Sequence, residues 1–177
     1  LAGYKGHADA QYCMGLLYQG LLCPDWKEVP KDYPKAMNWY LLSATQKHAD
    51  AQYNLGVMNL EGLGTPQNFK EAFRWFLLAS NQGHVDSQNK LGQMYTKGIG
   101  VKRDYAQSIK WYRLAASKNS ALAQYSLGWM YSQGWGSPKD NAEALDWYRL
   151  AAKQGHVESQ LNLGVLHASG LGIPKNY

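Results

Sequence analysis

The feature that most constrains this chain is a 36-residue period. Trp39, Trp75, Trp111 and Trp147 keep that spacing, and so do Gly56, Gly92, Gly128 and Gly164. Gly15 precedes Gly56 by 41, so the first unit carries five extra residues, and the Gly-to-Trp interval places them within Leu21–Pro30. A period of this length points to an array of small supersecondary units, each burying its apolar face on the next. The units read 6–46 (with the insertion at 21–30), 47–82, 83–118, 119–154 and an incomplete 155–177, with 1–5 as the tail of a preceding unit.

Each unit reads as two helices. The first runs through Ala49–Leu60, Val85–Lys97, Leu122–Gln133 and Val157–Ser169, where small and apolar residues recur at helical spacing: Ala51, Leu55 and Met58; Ser87, Leu91 and Met94; Ala123, Leu127 and Met130. Gly62-Leu63-Gly64, Gly98-Ile99-Gly100, Gly134-Trp135-Gly136 and Gly170-Leu171-Gly172 then stop it, because glycine adopts the left-handed conformation needed just past a helix end. Pro66, Pro138 and Pro174 follow, where a helix cannot continue. The second helix opens at Asn68, Asp104 and Asp140, each a good N-cap. Glu71, Gln107 and Glu143 sit three residues later, at capping-box spacing. No segment alternates with period two. The expectation is an all-α solenoid of stacked antiparallel helical hairpins.

Two columns have physical jobs. The helix-one glycine costs roughly 1 kcal/mol in a helix interior, which makes sense if a neighbour approaches too closely for a Cβ. The helix-two Trp and the Tyr or Phe after it are expected to fill the gap between hairpins. Much of the chain's 18 Gly, 7 Trp and 13 Tyr is therefore the repeat's own packing.

The run Ala51-Gln52-Tyr53-Asn54-Leu55-Gly56, then Gly62-Leu63-Gly64, Lys70-Glu71-Ala72, Trp75-Phe76 and Ala79 resembles the Sel1-like repeat, a relative of the tetratricopeptide repeat. It recurs at Ala123-Gln124-Tyr125-Ser126-Leu127-Gly128, Gly134-Trp135-Gly136, Ala144, Trp147-Tyr148 and Ala151-Ala152. The resemblance covers essentially the whole chain. The first unit departs most, with its insertion and Pro34 early in helix two. The resemblance implies a right-handed superhelix whose first helices line a concave face. It also implies a scaffold, adaptor or toxin-neutralising protein of bacterial type rather than an enzyme. Many bacterial members are exported, so a periplasmic or secreted location is the one it favours. Leu1–His7 aligns with Leu78–His84 and Asn176 with the N-cap Asn68, so the sequence is expected to be a window on a longer array.

Candidate chemistry reduces to few residues. His7, His48, His84 and His156 recur with the unit. Equivalent positions in packed helices lie roughly 8–10 Å apart, too far to share one zinc ion. They read as helix-start residues, and no metal or cofactor is expected. Ser87-Gln88-Asn89-Lys90 fits a Ser-x-x-Lys pattern, but Ser87 stands in the column of Ala51 and Ala123 and reads as packing. Cys13 lies in a helix and Cys23 in the insertion. A disulfide between them would suit an oxidising compartment, and two free thiols are the alternative. The net charge is +5, with scattered cations such as Lys102-Arg103 and Arg74, which gives no nucleic-acid footprint. No apolar run of 18 residues exists to span a membrane.

The best binding candidate is one stripe of the first helices. Counting from the helix-one glycine, position −6 reads Asp9, Asp50, Asp86, Leu122 and Glu158. Position −3 reads Tyr12, Tyr53, Asn89, Tyr125 and Leu161, and position +1 reads Leu16, Val57, Gln93, Trp129 and Val165. Helical spacing puts these on one side, away from the packing residues. The expected partner-binding residues are Asp50, Tyr53, Asp86, Asn89, Gln93, Tyr125 and Trp129. Trp129 stands outside the structural Trp column, and with Tyr125 it has a hot-spot composition. The acidic column would favour a cationic segment, or it would simply stabilise helix N-termini. The tyrosines could instead pack adjacent first helices. The function expected is a scaffold docking a protein or peptide partner, with an inhibitor or immunity protein that caps a toxic enzyme as the alternative.

Overall fold

The computed structural model describes residues 6–21 and 29–169. Among them are nine α-helices and no strand: α1 (Ala8–Gln19), α2 (Tyr33–Thr45), α3 (Ala49–Glu61), α4 (Phe69–Asn81), α5 (Val85–Lys97), α6 (Tyr105–Ser117), α7 (Ala121–Gln133), α8 (Asn141–Lys153) and α9 (Val157–Ala168). The fold is the expected all-α array of helical hairpins. The inserted segment at 22–28, with Cys23 and Trp26, and the last Gly-x-Gly motif lie outside the described residues. No described helix is long and apolar enough to cross a membrane.

The chain divides into two compact units. The first ends at Ser87 and includes Ile99–Val101; the second takes Gln88–Gly98 and resumes at Lys102. In the first unit, α1 packs on α2, α2 on α3 and α3 on α4. In the second, α6 packs on α7, α7 on α8 and α8 on α9.

The hairpins close through their caps. The side chains of Asn68, Asp104 and Asp140 accept the backbone N–H groups of Glu71, Gln107 and Glu143 at 3.0–3.1 Å, as the sequence leads one to expect. The reciprocal half of a capping box is not made. The N–H groups of Asn68, Asp104 and Asp140 donate instead to the carbonyls of Asn59, Tyr95 and Tyr131 in the preceding helix, at 2.8–3.0 Å. Those donors are already satisfied by the hairpin, so Glu71 turns to Arg74 and Glu143 accepts from the Trp147 indole.

The helix-one glycine is explained by one aromatic ring per hairpin. A Cβ would fall 2.5 Å from the Phe76 ring at Gly56, 2.6 Å from Tyr112 at Gly92 and 2.7 Å from Tyr148 at Gly128. Gly15 meets Tyr40 in the same way. These rings are nearly or fully buried, between 0% and 4% exposed. Removing such a ring costs about 3–5 kcal/mol. The Trp column is only half-buried, so the residue after the Trp, rather than the Trp itself, fills the hairpin.

Among the described residues, the second glycine of a Gly-x-Gly motif does more than stop a helix. Gly136 has φ +80°, and a Cβ there would lie 2.7 Å from the Tyr105 backbone carbonyl carbon. The α7–α8 loop therefore rests directly on the first turn of α6. This contact brings Trp135 onto Tyr105.

Candidate protein-binding surface

The motif Ala-Gln-Tyr divides its labour. Ala51 and Ala123 are fully buried. Gln52 and Gln124 are buried and accept from the amides of Gln82 and Gln154 at 2.7 Å, which satisfies groups that would otherwise be costly to bury. Tyr53 stacks on His84 with ring centroids 4.9 Å apart, and Tyr125 stacks on His156 at 4.7 Å. Tyr12 stacks on His48 in the same manner. Burial first, and then the nearby Asp86 carboxylate, push the Tyr53 phenol above its ordinary pKa. Two of the expected binding residues, Tyr53 and Tyr125, are thus engaged in packing one repeat on the next.

The recurring histidines complete this contact. His48 Nδ1 accepts the Ala51 N–H at 3.2 Å, and His84 Nδ1 accepts the Ser87 N–H at 3.1 Å, so both act as N-caps. That leaves Nε2 to donate, and it meets Asp9 at 3.2 Å in one case and Asp50 at 3.1 Å in the other. Asp50 is therefore engaged by one oxygen while remaining half-exposed. Ser87 is fully buried with its hydroxyl on His84.

One junction is built differently. Asn89 stands where Tyr53 and Tyr125 stand, and Ser120 where the histidines stand. The Asn89 amide donates to the Ser120 hydroxyl at 3.0 Å, and Ser120 caps α7 by accepting the Ala123 N–H at 3.3 Å. Asn89 is only 4% exposed. The amide is turned to the Ser120 hydroxyl rather than to solvent. Asp86 is exposed, and the column that supplies His84 to Asp50 supplies Ser120 one repeat on.

Gln93 and Trp129 are brought together in the second unit. They line a cavity of about 440 Å³ with Thr96, Lys97, Arg103, Tyr105, Tyr112 and Trp135. Trp129 meets Trp135 edge to face at 4.3 Å and 78°, and Trp135 stacks on Tyr105 at 4.8 Å and 26°. The Arg103 guanidinium sits 5.6 Å from the Tyr105 ring centre. The Thr96 hydroxyl is committed to the Gly92 carbonyl and to Ser108. Trp129 also borders a smaller cavity of about 290 Å³ with Ser132, Lys139, Asn141 and Asn162.

Lys97, Arg103 and Tyr105 escape a reading by columns because they lie at the end of α5, in the following loop and at the start of α6. The signal that could have found them is Trp135 itself, a large aromatic where the other Gly-x-Gly motifs carry Leu63, Ile99 and Leu171. Cys13 is exposed on α1, and its expected partner Cys23 lies outside the described residues.

The Sel1 repeat family model matches residues 8–48, 49–84, 85–120, 121–156 and 157–177. The chain belongs to the Sel1 repeat family. Each matched repeat begins two residues after the start expected from the sequence. Such repeats generally mediate protein–protein interactions, and their proteins are typically non-catalytic scaffolds. A protective antigen of uropathogenic Escherichia coli strains, with an SLR fold, superposes with a TM-score of 0.92 and is 38% identical over 99% of this chain. The Sel1 chain spans 36% of that protein's length. A Sel1 repeat protein from Oxalobacter formigenes gives a TM-score of 0.87 at 36% identity, covering 94% of this chain and 67% of its own. An immunity protein from Pseudomonas aeruginosa gives 0.56 at 23% identity, covering 89% of this chain and 56% of its own, a likeness of fold alone. A search of the curated proteins found no significant match.

Proposed function

We propose that this Sel1 repeat chain is a non-enzymatic scaffold that binds a partner protein or peptide on the surface of its first helices, anchored at Trp129. Gln93 lines the same cavity as Trp129. In the first unit Tyr53 and Asp50 both engage His84, and in the second Tyr125 stacks on His156, so these expected binding residues also pack one repeat on the next.

One observation carries this reading. The column that gives Trp129 holds Leu16, Val57, Gln93 and Val165 in the other repeats. The hairpin itself therefore does not require an indole there. The ring is only partly buried and lines a cavity, and binding energy at interfaces concentrates in such aromatic anchors.

The test compares the tagged chain with its Trp129→Ala variant as bait in native extract, followed by affinity measurement on the recovered partner. The variant should bind at least about tenfold more weakly, as expected for an interface hot spot. Its thermal midpoint should stay close to that of the parent. Unchanged affinity would remove Trp129 as the anchor.

A further inference from the structure

The cavity beside Trp129 also indicates the chemistry of what it takes. Its charged lining residues are Lys97 and Arg103, both exposed, and no carboxylate lines it. Its walls are Tyr105, Trp129 and Trp135, joined by one stacked and one edge-to-face contact. Arg103 lies over the Tyr105 ring, which orders the guanidinium at the rim. Gln93 supplies an amide, one donor group and one acceptor, while the Thr96 hydroxyl is already used.

We infer, building on the scaffold reading above, that this cavity binds an extended peptide segment carrying an Asp or Glu next to an aromatic side chain. The aromatic side chain packs in the cavity beside the Trp129 ring. The carboxylate meets Lys97 and Arg103 at the rim, and Gln93 pairs with a peptide unit.

The cationic pair Lys97 and Arg103 favours a segment that carries a carboxylate over a neutral sugar. A volume of about 440 Å³ is small for a ligand site and suits one or two side chains. The preference is opposite in sign to the cationic segment that the acidic column suggests. That column reads Leu122 and Glu158 in the second unit, and Glu158 lies against His156.

The experiment uses the full chain and two blocked pentapeptides, acetyl-Ala-Glu-Phe-Ala-Ala-amide and its lysine analogue, in calorimetric titrations at low salt. The glutamate peptide should saturate below about 1 mM, and the lysine peptide should bind at least about fivefold more weakly. Lys97→Gln with Arg103→Gln should weaken the glutamate peptide by about five- to tenfold, in the range of exposed ion pairs. Lys97→Glu with Arg103→Glu should reverse the preference between the two peptides. All four substitutions lie on exposed side chains, and an unchanged thermal midpoint checks the fold.

Equal binding of both peptides, no saturation, or an unreversed preference would overturn the inference. So would saturable binding of glucuronic acid where the peptide fails. If Trp129→Ala abolishes partner capture while the charge variants capture normally, the scaffold reading stands and the acidic-aromatic assignment falls. If Trp129→Ala captures normally, it is the anchor reading that falls.

Discussion

Gly128 and Gly164 share a column and face opposite surroundings. A Cβ on Gly128 would enter the Tyr148 ring, whereas one on Gly164 meets nothing within 4 Å. Gly128→Ala should therefore destabilise the chain by about 1–3 kcal/mol, because overpacking outweighs the gain in helix propensity. Gly164→Ala should be neutral or stabilising by up to about 1 kcal/mol. Urea denaturation of the two variants checks both signs; equal destabilisation would contradict the ring-contact explanation. The glycine column was legible in the sequence because a repeated penalty implies a repeated benefit. Which ring supplied that benefit was not, because Trp75 and Phe76 are adjacent and both aromatic. Only the rotation of α4 about its axis decides that Phe76 faces Gly56.

At the scale of elements, consecutive first helices meet through a tyrosine and the next histidine, except at Asn89 and Ser120. The two substitutions are one physical change. A histidine at the cap needs a ring to stack on, and a serine at the cap needs a polar partner within reach. Asn89→Tyr alone and Ser120→His alone should each destabilise by about 1–3 kcal/mol, since each breaks the Asn89–Ser120 bond without building the stack. The double variant should recover about 1 kcal/mol relative to the sum, the size of an aromatic contact. Additivity within about 0.3 kcal/mol would contradict the coupling. The sequence column shows that Asn89 shares its position with Tyr53 and Tyr125, but not that its amide pairs with the Ser120 hydroxyl. The capping boxes failed for a related reason: spacing shows which groups could pair, not that Asn59 and its equivalents already hold the donor.

At the scale of the molecule, the hairpin array was legible because five repeats state the same packing solution, and the family match agrees. The cavity was half legible. Gln93 and Trp129 came from the helix stripe, but Lys97, Arg103 and Tyr105 are assembled by the loop that Gly136 seats on α6. Exposed leucines offer a rival surface, since Leu114 and Leu150 on the second helices are 41% and 43% exposed. The central claim is that a partner is held by the first helices at Trp129 and not by that leucine column. Amide hydrogen exchange of the chain, free and in complex with its captured partner, separates the two surfaces most directly. The account predicts slowed exchange in the C-terminal half of α7, in the α5–α6 loop and around Trp135, with α8 unchanged. Protection confined to α6 and α8 around Leu114 and Leu150, with α7 and both loops exchanging as in the free chain, would contradict it.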